Sequence, residues 1–106
     1  MYMSVSFRVL ETRAFGELYP ALDAFEQNWI SKIIAQLKTN PFAGKPLGFE
    51  WFREKKLGGK RLYYLIYQKV GIVLLVAFGG KKEQQKIISH ILQNLKEYDE
   101  LVAKVQ

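Results

Sequence analysis

The sequence predicts an α+β fold: a small, mainly antiparallel sheet with an N-terminal helical hairpin and a C-terminal helix, in the order β-α-α-β-β-β-α. Three observations carry this. Apolar residues recur at helical spacing near both ends of the chain. A Gly58-Gly59 pair separates two runs of strand-forming residues, which is a two-residue hairpin signal. A β-branched apolar run, Ile72 to Phe78, has the length of a buried central strand.

Taken in order, Val5 to Leu10 suits a short first strand. Residues 13 to 39 read as helix in two parts, because Pro20 has no N–H to continue a single one. Phe25, Trp29, Ile30, Ile33, Ile34 and Leu37 form one face of the second part. Asn40-Pro41 stops it, since a residue before proline disfavours helical dihedrals. Residues 42 to 49, with Gly44, Pro46 and Gly48, read as loop. Trp51 to Leu57 and Lys60 to Tyr67 make the hairpin, Val70-Gly71 the next turn, and Gly79-Gly80 ends the central strand. A long last helix starts near Glu83, with an apolar stripe at Ile87, Ile88, Ile91, Leu92, Leu95, Tyr98, Leu101, Val102 and Val105. Its far end, Leu101, Val102 and Val105, is expected to meet a partner rather than the domain's own core. The helices are expected on one face of the sheet.

The 106 residues fit one domain over 1–106, and 49% apolar content is enough for a core. No apolar run reaches the roughly 20 residues that span a bilayer. No basic-then-apolar export pattern opens the chain, so a cytoplasmic location is expected. No cysteine and one histidine leave no thiolate or zinc ligand set, so neither metal nor cofactor is expected. His90 has no acidic or nucleophilic partner in its local pattern and reads as a surface residue. Gly79-Gly80-Lys81-Lys82 lacks the spacing and the Ser/Thr of a nucleotide-binding loop.

The net charge of +6 is unevenly placed. Arg53, Lys55, Lys56, Lys60 and Arg61 against Glu54 contribute +4, and Lys81 with Lys82 adds two, while nine positive and nine negative charges cancel elsewhere. Such local excess suits a polyanion. A two-residue turn sets Leu57 opposite Lys60 and Lys56 opposite Arg61. Alternation then puts Phe52, Glu54, Lys56, Arg61, Tyr63, Leu65 and Tyr67 on one sheet face. With Leu62, Tyr64 and Ile66 turned to the helices, that first face is expected to be open, with Lys81 and Lys82 at its edge. Cations hold phosphates and aromatic rings stack on unpaired bases, so the mixture fits RNA. RNA is cut without a protein nucleophile or metal when its own 2′-OH attacks phosphorus. Arginine then grips phosphate oxygens and a lysine in a cationic cluster helps move protons.

Several segments resemble the RelE/ParE toxin superfamily. Asn40-Pro41 followed by Gly44-Lys45-Pro46-Leu47-Gly48 is similar to the helix-to-strand link of RelE, ParE and HigB toxins. Glu54-Lys55-Lys56 resembles their Glu-x-Arg, with lysine in the arginine position. Lys60-Arg61-Leu62-Tyr63-Tyr64 resembles Tyr-Arg-x-x-Tyr, and Phe78 with Lys81-Lys82-Glu83-Gln84-Gln85 resembles Phe-x-Lys-Lys-x-x-Gln with one extra glycine. The resemblance covers about residues 5 to 98. It implies a toxin restrained by a cognate antitoxin, cutting mRNA on the ribosome as RelE-like and HigB-like members do, or binding gyrase as ParE-like members do. An inactive toxin-fold binding module or a homodimer is also compatible with it. It places Arg61, Lys82 and Lys56 at catalytic positions. Lys81, Tyr63, Tyr67, Lys60 and Glu54 are the expected RNA contacts. The chain departs from RelE at Glu54, where RelE has lysine, and at Ile88, where RelE has a catalytic tyrosine.

Overall fold

The computed structural model describes residues 6–106. Strand β1 (Arg8–Glu11) leads into α1 (Arg13–Leu18), a 3-10 turn over Tyr19–Ala21 and α2 (Ala24–Thr39). Four strands follow: β2 (Lys45–Phe49), β3 (Phe52–Leu57), β4 (Lys60–Tyr67) and β5 (Ile72–Gly80). A 3-10 turn over Lys81–Glu83 opens α3 (Gln84–Gln93), and α4 (Leu95–Val105) ends the chain. The sheet order is β1-β5-β4-β3-β2, antiparallel except where β1 runs parallel to β5. The α+β class and the β-hairpin agree with the sequence reading. Of the expected first strand, Val5 lies outside the described residues.

Helices α1 and α2 begin where the sequence supplies a cap. Thr12 accepts the Phe15 amide at 3.1 Å and opens α1. Asp23 and Glu26 form a reciprocal capping box on α2, satisfying two donors that a helix start leaves free. Pro20 falls in the 3-10 turn between them. At the other end the expected single helix is two. Asn94 Nδ2 donates to the His90 carbonyl at 2.7 Å, so a side chain takes an acceptor the helical ladder would use.

The register at the hairpin is the expected one, with Leu57 opposite Lys60 and Lys56 opposite Arg61. Gly58 alone of the turn pair has a positive φ, +57°, as a type II′ turn requires at its first central position. An irregularity between Tyr63 and Tyr64 sets Ala77 opposite Tyr63 and Leu75 opposite Tyr64, leaving Val76 as an extra residue in β5.

Three expectations are corrected. Residues 45–49, read as loop, form strand β2; Pro46 is tolerated because β2 is an edge strand whose outer side needs no ladder bond. Phe25 is 69% exposed, and Glu26 holds the buried place beside Ile30, Ile33 and Leu37. Most consequential, helices cover both sheet faces. One face packs Leu62, Tyr64, Ile66, Val73 and Leu75 against Phe15 of α1 and Ile30, Ile33 and Leu37 of α2. The other packs Phe52, Tyr63, Leu65, Ile72, Leu74 and Val76 against Ile91 of α3 and Val102 of α4. The open face of the sequence reading is therefore the seat of the C-terminal helices. Near-continuous apolar runs in β4 and β5 are what a sheet buried on both sides needs.

Candidate functional site

Two buried arginines lie on β3 and β4, and their surroundings differ. Arg53 is satisfied throughout. Its Nε donates to the Glu50 carbonyl at 2.8 Å, Nη1 to the carbonyls of Phe42 and Gly44 at 3.1 and 2.6 Å, and Nη2 to the Glu50 carboxylate at 2.6 Å. Tyr64 finishes the knot: its hydroxyl donates to Pro41 O at 2.8 Å and accepts from Gly44 N at 2.9 Å. Burial raises the pKa of that hydroxyl, while the Gly44 hydrogen bond and Arg53 oppose the shift. Arg53 thus binds the segment before β2 to the sheet.

Arg61 sits on the other face and is 7% exposed. Glu54 Oε2, on a side chain almost wholly buried, lies 3.3 Å from its Nε, close enough for charge attraction but without hydrogen-bond alignment. Among the described residues, Nε and Nη1 have no hydrogen-bond partner, and neither does the hydroxyl of Tyr63. Gln84, at the start of α3, donates from Nε2 to Glu54 Oε1 at 3.1 Å. Tyr63 stands directly across from Glu54 on the hairpin. Its pKa is raised by burial first and by Glu54 second, with Arg61 pulling the other way.

The two cationic segments converge at one end of the sheet. Lys81 N donates to Gly59 O at 2.9 Å, and Arg61 pairs with Gly79 and Lys60 with Gly80. Lys56, Lys81 and Lys82 are exposed and make no ion pair among the described residues. A buried guanidinium with unpaired donors, at the end of the sheet where exposed lysines gather, is suited to gripping an oxyanion and neutralising charge built up on it.

Other expected site residues are placed differently. Lys60 points to the α2 side, where its ammonium is bonded to Glu26 and lies 5.7 Å from the centroid of the Phe78 ring. That hydrogen bond raises the Lys60 pKa. On the expectation of RNA cleavage, Lys60→Ala should leave the rate within about two-fold of wild type, since a lost surface ion pair is worth little, whereas Lys82→Ala is expected to lower it. Equal losses in the two variants, measured on one RNA substrate, would return Lys60 to the site. Tyr63 has no exposed surface and cannot offer a ring face to a base. Tyr67 donates to Asp99 Oδ1 of α4 at 2.8 Å; burial, then that acidic partner, pushes its pKa far above the usual tyrosine range. The base-stacking role expected of these two tyrosines is thus not available in this arrangement, because α3 and α4 occupy their face. His90 is exposed, near Asn94.

The C-terminal stripe also closes the domain more fully than expected. Val102 is buried in the second core and Leu101 packs partly against it, while Leu92 and Val105 stay exposed. A groove of about 640 Å³ remains between α1 and α3–α4, with Ala14, Leu18, Ile87, Ile91, Tyr98 and Leu101 among its walls. Gln84, which holds Glu54, and Ile87, which lies over Gly79 beside Arg61, stood in the sequence only as parts of a post-strand motif and an apolar stripe, with no sign that they would pack at this site. Among the described residues no three His, Cys, Asp or Glu side chains gather as a metal site, and no helix is long and apolar enough to cross a membrane.

No family model matches the chain, and no curated protein sequence matches it. Solved structures do. A double mutant of the Escherichia coli toxin RelE in the free state superposes with a TM-score of 0.72 at 18% identity, over 85% of this chain and 98% of that one. RelE-containing toxin–antitoxin complexes match too. For the RelBE-type complex from Mycobacterium tuberculosis the TM-score is 0.62 at 21% identity, over 74% of this chain and 94% of that one. For the archaeal RelE–RelB complex from Pyrococcus horikoshii it is 0.62 at 14%, over 72% and 96%. The fold is that of RelE toxins.

Proposed function

We propose that the chain is the toxin of a toxin–antitoxin pair, an endoribonuclease that cuts mRNA on the ribosome and is held inactive by a cognate antitoxin. The observation that carries this reading is the contrast between the two buried arginines. Arg53 meets acceptors at all three nitrogens, whereas Arg61, equally buried, leaves Nε and Nη1 unpaired. Each unpaired buried donor costs roughly 1–3 kcal/mol. An arginine retained for stability would be wired like Arg53, so Arg61 reads as a group kept ready for an anion.

In the reaction the 2′-oxygen of the substrate attacks the adjacent phosphorus and the 5′-oxygen of the next nucleotide departs. The products are a 2′,3′-cyclic phosphate and a free 5′-hydroxyl. No protein nucleophile or metal enters. Arg61 holds a non-bridging phosphate oxygen and stabilises the phosphorane's charge. Glu54 supports the guanidinium from its Nε side. Lys56 and Lys82 add positive charge at the rim and take part in proton transfer, and Lys81 contacts the phosphate backbone. The fold shared with RelE chains solved alongside antitoxins supports a protein partner of that kind. Its amphipathic segment would lie in the groove between α1 and α3–α4. A cytoplasmic site of action follows from a ribosomal target.

The test is induced expression in bacterial cells followed by mapping of mRNA 5′ ends. New 5′-hydroxyl ends within translated regions, suppressed by co-expressing the small protein encoded next to this gene, are the expected result. Growth arrest with intact mRNA and trapped gyrase would overturn the nuclease in favour of a gyrase poison. No arrest at all would indicate a toxin fold without the activity.

A further inference from the structure

Three buried polar atoms among the described residues lack a hydrogen-bond partner: Arg61 Nε, Arg61 Nη1 and the Tyr63 hydroxyl. They belong to one place. Arg61 and Tyr63 are two residues apart on β4, so their side chains leave the same sheet face. Glu54, paired with Tyr63 across the hairpin, approaches Arg61 from that face as well. The chemistry of the three orphans is also uniform. Guanidinium nitrogens only donate, and a phenol that accepts from one of them still has its own O–H to place. What the group lacks is an acceptor.

We propose that Tyr63 and Arg61 form a single oxyanion-binding pair, the tyrosine hydroxyl and the guanidinium donating together to the oxygens of a phosphate. For the catalytic meaning this rests on the endoribonuclease reading above: the phosphate is then the scissile one, and Tyr63 becomes a further catalytic residue. A phosphate group presents enough lone pairs to satisfy both side chains at once, and charge-assisted bonds of this kind are about twice as strong as neutral ones.

The pair is roofed by the first turn of α3. Ile87 lies so close over Gly79, the strand neighbour of Arg61, that a Cβ on that glycine would come within 2.7 Å of Ile87 Cδ1. The N-terminus of α3 has no side-chain cap. Gln84 ties the turn down through its hydrogen bond to Glu54. Access to the pair then begins with the lifting of this turn while the sheet below stays in place, and local openings of helix ends are common.

Tyr63→Phe separates this role from a structural one. Removing a hydroxyl that has no partner costs a packed core nothing, and replacing it by an apolar edge of the same shape tends to stabilise. A purely structural Tyr63 thus predicts an unchanged or higher Tm and unchanged chemistry. The experiment titrates the purified full chain with inorganic phosphate against sodium chloride of matched ionic strength, following Tm. Cleavage of ribosome-bound mRNA is measured in parallel. The expected result is a Tm that rises with phosphate in wild type. In Tyr63→Phe the starting Tm is equal or higher, the rise is lost, and cleavage falls by about 10²-fold, as for a lost oxyanion donor. The same phosphate response in both proteins would overturn the pair. So would no response in wild type, which would mean that trapped water fills the site. A wild type that cuts no mRNA but keeps a Tyr63-dependent phosphate response would end the nuclease reading and leave the anion pair standing.

Discussion

Arg61→Ala is expected to lower mRNA cleavage by about 30- to 1,000-fold and to abolish growth arrest, on the proposed endoribonuclease function. The range follows from losing one bidentate contact to the transition state, roughly 2–4 kcal/mol of barrier. The variant also loses stability, because Arg61 is no surface residue. Its removal strands the Glu54 carboxylate at 3% exposure, with the neutral Gln84 amide bonded to it and no cation beside it among the described residues. Breaking a buried pair from one side costs about 3–5 kcal/mol, a large part of a small domain's total. Reduced activity in this variant alone would accordingly be ambiguous. The double variant Arg61→Ala with Glu54→Gln removes the stranded charge, so the Tm recovers most of its loss while cleavage does not. Measuring Tm and cleavage side by side on both proteins decides the matter. Growth arrest by the refolded double variant would remove Arg61 from the site.

The second large effect is structural. Gly44→Ala destabilises the domain by about 3 kcal/mol or more, the upper range for an overpacked core position. A Cβ at Gly44 would stand 2.5 Å from the Glu54 carbonyl oxygen and 2.6 Å from the Tyr64 hydroxyl. The first of these is sheet backbone and cannot give way. Relief requires the segment before β2 to move off, which breaks the Tyr64 and Arg53 bonds to Gly44. Thermal unfolding should show a Tm lower by about 10–20 °C, the shift such a cost gives in a domain of this size. A fall of less than about 3 °C would mean that this packing is looser than the contacts indicate. Glu54, whose backbone is struck, also belongs to the candidate site, so the variant is expected to lose activity as well.

The hairpin was legible because local chemistry decides it. Two glycines fix the turn, and alternation then fixes which residues face Arg61. The split of the first helical region was legible for the same reason, since Pro20 acts on its own backbone. Strand β2 was hidden because Pro46 and Gly48 weaken a strand pattern and are tolerated at a sheet edge. The second layer of helices was harder still. The stripe of α3 and α4 is visible in the sequence, but periodicity does not say which surface an apolar face will meet. Once Val102 and Ile91 cover the face carrying Arg61, Glu54 and Tyr63, residues read as open contacts become buried ones. The sheet face of Arg61 was legible from the turn register; the lack of hydrogen-bond partners around its guanidinium was not, because it is a matter of tertiary packing that alternation does not specify. Lys60 was misplaced by a distant partner, Glu26, 34 residues earlier.

The meeting of Gly59 with Lys81 has a further consequence, for encounter rather than for chemistry. With the chain's charge excess confined to the hairpin and the β5 exit, the molecule, 46 × 30 × 25 Å in extent, has an electrostatic head at that end of its sheet. A polyanion exerts torque on such a body before touching it, turning the head forward during diffusion. Over a Debye length of about 10 Å at 0.1 M salt, that torque acts only in the last stage of approach. Rising ionic strength should therefore slow productive arrival more than it speeds departure.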